Sequence, residues 1–177
     1  MNLYLRVLAV LWKALVRPRS AGPLDTSVIS FRVLPNDLDP NWHMNNGRYL
    51  TIMDLGRLDL TIHTGLMRAI IRERWMPVLG GAIIRFQRPL KLFQRYTLTT
   101  RVLGWDDKWL YLEQAFDANE KRAATAVVKA LVRGKDRSIP TAEVMHLLGI
   151  DVPSPPFPDH LRTWIASDQA ASAAGAA

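Results

Sequence analysis

The sequence has no cysteine, and this absence excludes several kinds of site. Disulfide bonds, thiolate metal centres and a cysteine nucleophile all require that side chain. A chain without cysteine fits a reducing compartment, so we expect a cytoplasmic protein. The histidines also lack metal-ligand spacing, so we expect neither a metal ion nor another cofactor. They are His43, His63, His146 and His160.

The signature motifs of several common enzyme classes are missing as well. No Gly-x-Ser-x-Gly segment is present, which argues against a serine hydrolase built on a nucleophile elbow. Neither a P-loop nor a dinucleotide-binding fingerprint occurs, which argues against the nucleotide chemistry that those glycine-rich turns support.

Long hydrophobic runs are also absent, and this bears on the N-terminal segment, residues 1–25. Its uninterrupted apolar run, Val7 to Trp12, is far shorter than the roughly 20 residues that span a bilayer. Helical spacing places Arg6, Lys13 and Arg17 on one narrow basic face, with leucines around the rest. Three interpretations stay open: contact with an anionic membrane through residues 2–17, docking on the protein's own body, or a targeting peptide. A linker rich in helix breakers follows, at residues 17–25.

Positive charge exceeds negative charge by seven, and the sequence pI is about 10.1. This excess favours anionic partners, although a solvated basic surface gives the same numbers. Residues 85–95 interleave arginines with phenylalanines, a pattern also found in proteins that bind single-stranded nucleic acid. A strand and turn with solvent-facing arginines is the more ordinary interpretation, so we expect no nucleic-acid partner.

The order of periodic segments predicts an α+β domain over residues 26–150. A strand at 27–34 precedes a helix that begins at Asn46 and is apolar around most of its circumference, which is typical of a buried helix. A short helix at 65–75 and an antiparallel meander follow, and Thr141 opens another short helix. Residues 151–177 form a proline-rich linker and an alanine-rich tail. The remaining strands are predicted at 76–89, 96–103, 109–116 and 123–133. Uncovered sheet edges favour pairing with a second copy.

Residues 37–49, DLDPNWHMNNGRY, carry more polar groups than a helix start requires. Asn45 or Asn46 is a sufficient cap, and an acidic residue such as Asp37 favours the positive end of the helix dipole. These roles leave Asp39 and His43 unexplained. A carboxylate and an imidazole beside a helix N-terminus supply a base, an orienting group and donors for a developing oxyanion, which is the equipment of acyl transfer.

This segment resembles the signature of hotdog-fold thioesterases, which cleave acyl-CoA or acyl-carrier-protein (ACP) thioesters. The resemblance covers residues 26–150, and the pattern D-L-D-x-N-x-H-x-N-N-x-x-Y of the plant acyl-ACP enzymes is matched at every specified position from Asp37 to Tyr49. It implies an antiparallel sheet wrapped around one long buried helix, and a homodimer or dimer of dimers. One departure is that Pro89 stands near the place of a further acidic residue in the plant enzymes.

The resemblance also implies roles for individual residues. Asp39 would be the general base or nucleophile, and Asn41 and His43 would position water or polarise the reacting group. Backbone N–H groups would bind the oxyanion, and other side chains would contact the acyl chain and the CoA phosphates. The implied oxyanion residues are Met44, Asn45, Asn46 and Gly47, and the implied substrate contacts are Tyr49, Met53, Arg85 and Arg88. A protein of the same fold that binds acyl thioesters or lipids without hydrolysis is the alternative.

Overall fold

The computed structural model describes residues 2–16 and 24–174. Its helices are α1 (Asn2–Val16), α2 (Asn46–His63), α3 (Leu66–Glu73), α4 (Thr141–Leu147) and α5 (Asp159–Ala174). Its strands are β1 (Ser27–Arg32), β2 (Met76–Phe86), β3 (Arg95–Trp105), β4 (Leu110–Ala118), β5 (Lys121–Arg133) and β6 (Ser138–Ile139). The predicted α+β architecture is therefore confirmed.

The strands form one antiparallel sheet in the order β1-β3-β4-β5-β2, and the short β6 pairs with β5. The predicted meander is the run β3-β4-β5, whose strands are joined by tight turns. The register of β2 against β5 shifts between Leu79 and Gly81, at the glycine pair Gly80–Gly81. The strands β1 and β2 are the two opposite edges of this sheet.

Helix α2 lies against one face of the sheet and supplies much of the core. Ile52, Met53 and Leu55 are buried there. Gly56 allows the close approach, because a Cβ at this position would lie 2.4 Å from the Thr100 hydroxyl oxygen. The buried amide of Gln114 fills the remaining polar space by donating to the Met53 carbonyl at 2.9 Å and to the Thr100 hydroxyl at 3.0 Å. Helix and sheet are thus fixed in one relative position.

Helix α1 docks on the body of the protein, which is one of the three interpretations that the sequence leaves open. Arg6 of its basic face is buried, as is Val10, and faces inward. The cause is Asp37, a buried carboxylate that pairs with the Arg6 guanidinium. Large apolar side chains of α1 consequently face outward, Leu8 and Trp12 among them. Arg17 lies outside the described residues.

The C-terminal segment corrects a second expectation. Residues 151–177 were predicted to be a linker and a tail, whereas residues 159–174 form α5, which packs on the sheet face opposite α2. The predicted tail carries an apolar stripe at helical spacing, Leu161, Trp164 and Ile165, which contacts Tyr111 and Val127. Alternation along β5 separates the two faces, since Val128 packs with α2 and Val127 packs with α5.

Candidate active site at the N-terminus of helix α2

The loop between β1 and α2 is anchored by Asp37, the first aspartate of the motif. Its fully buried carboxylate accepts hydrogen bonds from the backbone N–H of Leu34 and from the guanidinium groups of Arg6 and Arg48. Its backbone carbonyl also accepts from the Asn45 N–H at 2.8 Å. Asp37 therefore holds α1, the loop and the first turn of α2 together, a larger role than the dipole interaction expected from the sequence.

Asp39 and His43 are brought together as the motif predicts. The Asp39 Oδ2 lies 3.5 Å from the His43 Nδ1, and both side chains are partly exposed. The Asp39 Oδ1 accepts from the Asn41 N–H at 2.9 Å, and the Asp39 N–H donates to the His43 carbonyl at 3.0 Å. These two backbone contacts fix the carboxylate beside the imidazole. The Asn41 side chain is exposed within the same turn.

The four expected oxyanion donors are not equally available. The Met44 N–H donates to the Leu90 carbonyl and the Asn45 N–H to the Asp37 carbonyl, each at 2.8 Å. The Gly47 N–H donates to the Asn45 side chain, which is the N-cap of α2. These three N–H groups already donate to protein acceptors. The expectation that they bind the oxyanion is therefore corrected. Among the described residues, only the Asn46 N–H of this set has no acceptor.

The expected substrate contacts divide into two groups. Tyr49 and Met53 point into the core, where the Tyr49 ring meets the Phe86 and Phe116 rings edge-on at 5.1 and 4.9 Å. Burial raises the pKa of Tyr49 to about 12, against the opposing effect of a hydrogen bond with the Leu90 backbone. This placement gives both side chains a packing role and offers no surface to substrate.

The arginines, in contrast, are accessible. Arg85 lies on β2 and Arg88 just beyond the end of that strand, and both are exposed. Arg88 donates to the Arg122 carbonyl at 3.0 Å, a contact that occupies one of its N–H groups. Both guanidinium groups have donors left for an external anion.

Sequence reasoning missed Trp42, which lies between Asn41 and His43. Its side chain is 75% exposed and its φ is 59°, a conformation that a bulky residue rarely adopts. The tight turn requires it, because the Trp42 N–H closes on the Asp39 carbonyl at 3.1 Å. No sequence pattern signals a left-handed tryptophan, since glycine or asparagine is the usual residue there. The strained Trp42 backbone thus lies in the same turn as Asp39, and strained residues are common at functional sites.

An apolar cavity of about 310 Å³ lies farther along α2. Its charged lining residues are Asp54 and Arg57, which pair with each other, and the Arg57 guanidinium also donates to the buried Gln114 at 2.6 Å. Burial lowers the pKa of Arg57, and the nearby Asp54 carboxylate opposes that shift. The apolar lining comes from α2, α3, α4 and the strands β2 to β5, with Leu58, Leu66, Met67, Val78, Leu79 and Val144 among its members.

Within residues 2–16 and 24–174, no group of three or more His, Asp or Glu side chains is arranged to hold a metal ion. No helix in the same ranges has both the length and the hydropathy needed to cross a membrane.

Comparisons with known proteins bear on the family and the fold of the chain. The profile of the thioesterase-like superfamily matches residues 33–165. Protein THEM6 of Xenopus laevis is 33% identical over 169 residues, which are 96% of this chain and 81% of that protein. The YbaW probable thioesterase from Escherichia coli matches with a TM-score of 0.65 at 18% identity, over 70% of this chain and 96% of that one.

A second similar structure was solved with a bound ligand. A mutant 4-hydroxybenzoyl-CoA thioesterase, complexed with 4-hydroxybenzoyl-CoA, matches with a TM-score of 0.64 at 14% identity. The match covers 70% of this chain and 98% of that one. The structural likenesses confirm the predicted hotdog fold.

Proposed function

Since the chain belongs to the thioesterase-like superfamily and is on that ground a thioester hydrolase, we propose that it hydrolyses acyl-CoA or acyl-ACP thioesters with Asp39 as the catalytic carboxylate. The observation that carries the proposal is the Asp39–His43 pair, held at the N-terminus of α2 by backbone hydrogen bonds. The release of free thiol from a series of acyl-CoA and acyl-ACP substrates tests it.

In the proposed reaction, Asp39 takes a proton from a water molecule as the water oxygen bonds to the carbonyl carbon. The carbonyl oxygen becomes an oxyanion, which the free Asn46 N–H and the positive end of the α2 dipole stabilise. The intermediate then collapses, the carbon–sulfur bond breaks, and the sulfur leaves as a thiolate that takes up the proton. The products are a carboxylic acid and a thiol. His43 orients the Asp39 carboxylate and the water.

The apolar cavity suits the acyl chain, but within one chain it lies away from Asp39. Its first α2 residue, Asp54, is about 12 Å along the helix axis from Asn46. Strand β2 reaches both regions, because its start at Pro77–Leu79 lines the cavity and its end at Phe86 contacts Tyr49 beside the site.

A two-fold pair formed through β2 would bring the two regions together. Two copies of β2 in antiparallel contact place the start of one strand beside the end of the other. The cavity of one protomer then adjoins the Asp39 loop of its partner. Strand β2 pairs with β5 alone among the described strands, so its other edge is open, whereas α5 covers the outer sheet face. We therefore propose a homodimer whose two sites each use both chains.

The basic side chains near the site suggest which carrier, CoA or ACP, holds the acyl group. Arg85 and Arg88 are exposed near the end of β2, the end that adjoins the Asp39 loop, and Lys91 pairs in register with His43. Charge-assisted hydrogen bonds from such side chains suit the phosphates of CoA. The net charge of +7 would also attract an acidic carrier protein. Parallel assays with one acyl group on CoA and on ACP separate the two carriers.

A further inference from the structure

Helix α1 exposes an apolar stripe that its docking leaves uncovered. Leu5, Leu8 and Trp12 are 62%, 61% and 70% exposed, and Tyr4 and Leu11 border them. These positions follow helical spacing, so the side chains form one continuous strip along α1. Contiguous apolar surface of this kind on a folded protein marks a contact with another molecule or with a membrane.

The stripe faces outward because the opposite side of α1 is fixed to the body. The Arg6 guanidinium donates to the Arg32 carbonyl at 3.0 Å and to the Asp37 carboxylate at 2.5 Å, and it lies 5.6 Å from the centre of the Phe31 ring. Val10, one turn on, is buried in the core. A buried arginine with two specific acceptors sets the rotation of the helix, so Leu5 and Leu8 cannot turn inward.

The chemistry of the stripe favours a lipid surface. Tryptophan and tyrosine beside leucines are typical of helices that lie at a membrane interface. Residues 2–16 contain no aspartate or glutamate, and the chain carries a net charge of +7. This positive charge suits anionic headgroups, and nothing acidic on the helix would repel them.

The stripe is also separate from the edge proposed for pairing. Helix α1 contacts the end of β1, and β1 and β2 are opposite edges of the sheet. A pair formed through β2 therefore does not require the α1 stripe. We infer that α1 is an interfacial helix that binds anionic membrane surfaces through Leu5, Leu8 and Trp12.

Membrane contact through α1 would bear directly on the Asp39 site. Asp37 accepts from Arg6 of α1 and from Arg48 of α2, and it stands two positions before Asp39. A membrane-bound α1 thus holds the Asp39 loop at a fixed position relative to the lipid surface. Apolar chains that enter or leave the site then travel a short path through water. The lipid-binding inference itself does not depend on the proposed hydrolysis.

Vesicle sedimentation with the full chain tests the inference. We expect the wild type to sediment with phosphatidylcholine vesicles that contain phosphatidylglycerol, and more weakly with pure phosphatidylcholine or at high salt. The double variant Leu8→Gln/Trp12→Gln should lose at least about tenfold in affinity, because two apolar anchors are removed. The matched control is Ile71→Gln, which makes the same kind of change at a 71% exposed position on α3 and should bind as the wild type does.

The other outcomes are equally informative. Circular dichroism melting of each variant checks that the fold is retained, as expected for exposed positions. A wild type that fails to bind either vesicle, or a double variant that binds like the wild type, overturns the inference. If the wild type does not bind vesicles and the Leu8→Gln/Trp12→Gln substitution yields a smaller assembly, the inference is overturned. The stripe then binds a second copy of the chain instead.

Discussion

The Arg6 guanidinium of α1 reaches the Asp37 carboxylate at 2.5 Å, across 31 positions of the chain, and both side chains are buried. Arg48 completes the cluster from α2. Ionic groups buried in this way depend on one another, because removal of one partner leaves an uncompensated charge. The pairing ties the N-terminal helix to the loop that carries Asp39, so stability and site geometry are linked there.

Substitution of Asp37 should therefore be costly. We expect Asp37→Asn to lower the free energy of unfolding by about 3–5 kcal/mol, since two guanidinium groups lose their carboxylate. Denaturant unfolding measures the change. Glu143→Gln is the matched control, because it breaks the exposed Arg137–Glu143 pair and should cost about 0–1 kcal/mol. Equal losses for the two variants would contradict the anchoring role.

Stability should also fall at alkaline pH because of Tyr49. Its pKa is raised to about 12 in the folded protein, against 10.0 for an ordinary tyrosine. The unfolded chain therefore loses this proton first as pH rises, so the contribution is complete below pH 10 and disappears as pH approaches about 12. We expect wild type to lose about 2–3 kcal/mol of unfolding free energy from this group.

The variant Tyr49→Phe isolates that contribution. It has no phenol to ionise, so it should lose less stability than wild type over the same pH range. Burial raises the pKa of Tyr96 and Tyr111 as well, so part of the alkaline loss should remain. The control Tyr4→Phe alters an exposed ring and should follow wild type. Identical pH profiles for Tyr49→Phe and wild type would refute the prediction.

The proposed pairing through β2 predicts a joint loss of assembly and activity. Ile83 lies on this edge strand and is partly exposed, so Ile83→Lys places a charge at the proposed contact with little effect on the core. We expect sedimentation equilibrium to show a change from dimer to monomer, with thioester turnover reduced in parallel. A monomeric wild type, or a monomeric variant with full activity, would argue against a site shared between two chains.

The sequence predicted the parts of the fold that periodicity encodes. Helix α2 begins at Asn46 as expected, and the meander strands lie within a few residues of their predicted bounds. The pairing of Asp39 with His43 was also predictable, because four positions in one turn bring the two side chains close. These features depend on local spacing, which a sequence displays directly.

The remaining features depend on partners far away in the chain. Arg6 faces inward because Asp37 lies opposite it, and the Met44 N–H is occupied because the Leu90 carbonyl comes alongside. Helix α5 resembles a tail in the sequence because its apolar stripe gains a surface only when β3 to β5 have assembled. No local pattern reveals such contacts, and the conformation of Trp42 opposes the usual preference of its residue type.

The most direct test of the account is the rate of thiol release from acyl-CoA by wild type and by Asp39→Asn. The matched control is Asp136→Asn, the same change at an exposed loop position. We predict turnover by the wild type and the control, and a loss of about 10²–10⁴-fold in kcat for Asp39→Asn at an unchanged Tm. Turnover that survives in Asp39→Asn, or a wild type that binds acyl-CoA without cleaving it, would contradict the assignment of Asp39 as the catalytic carboxylate.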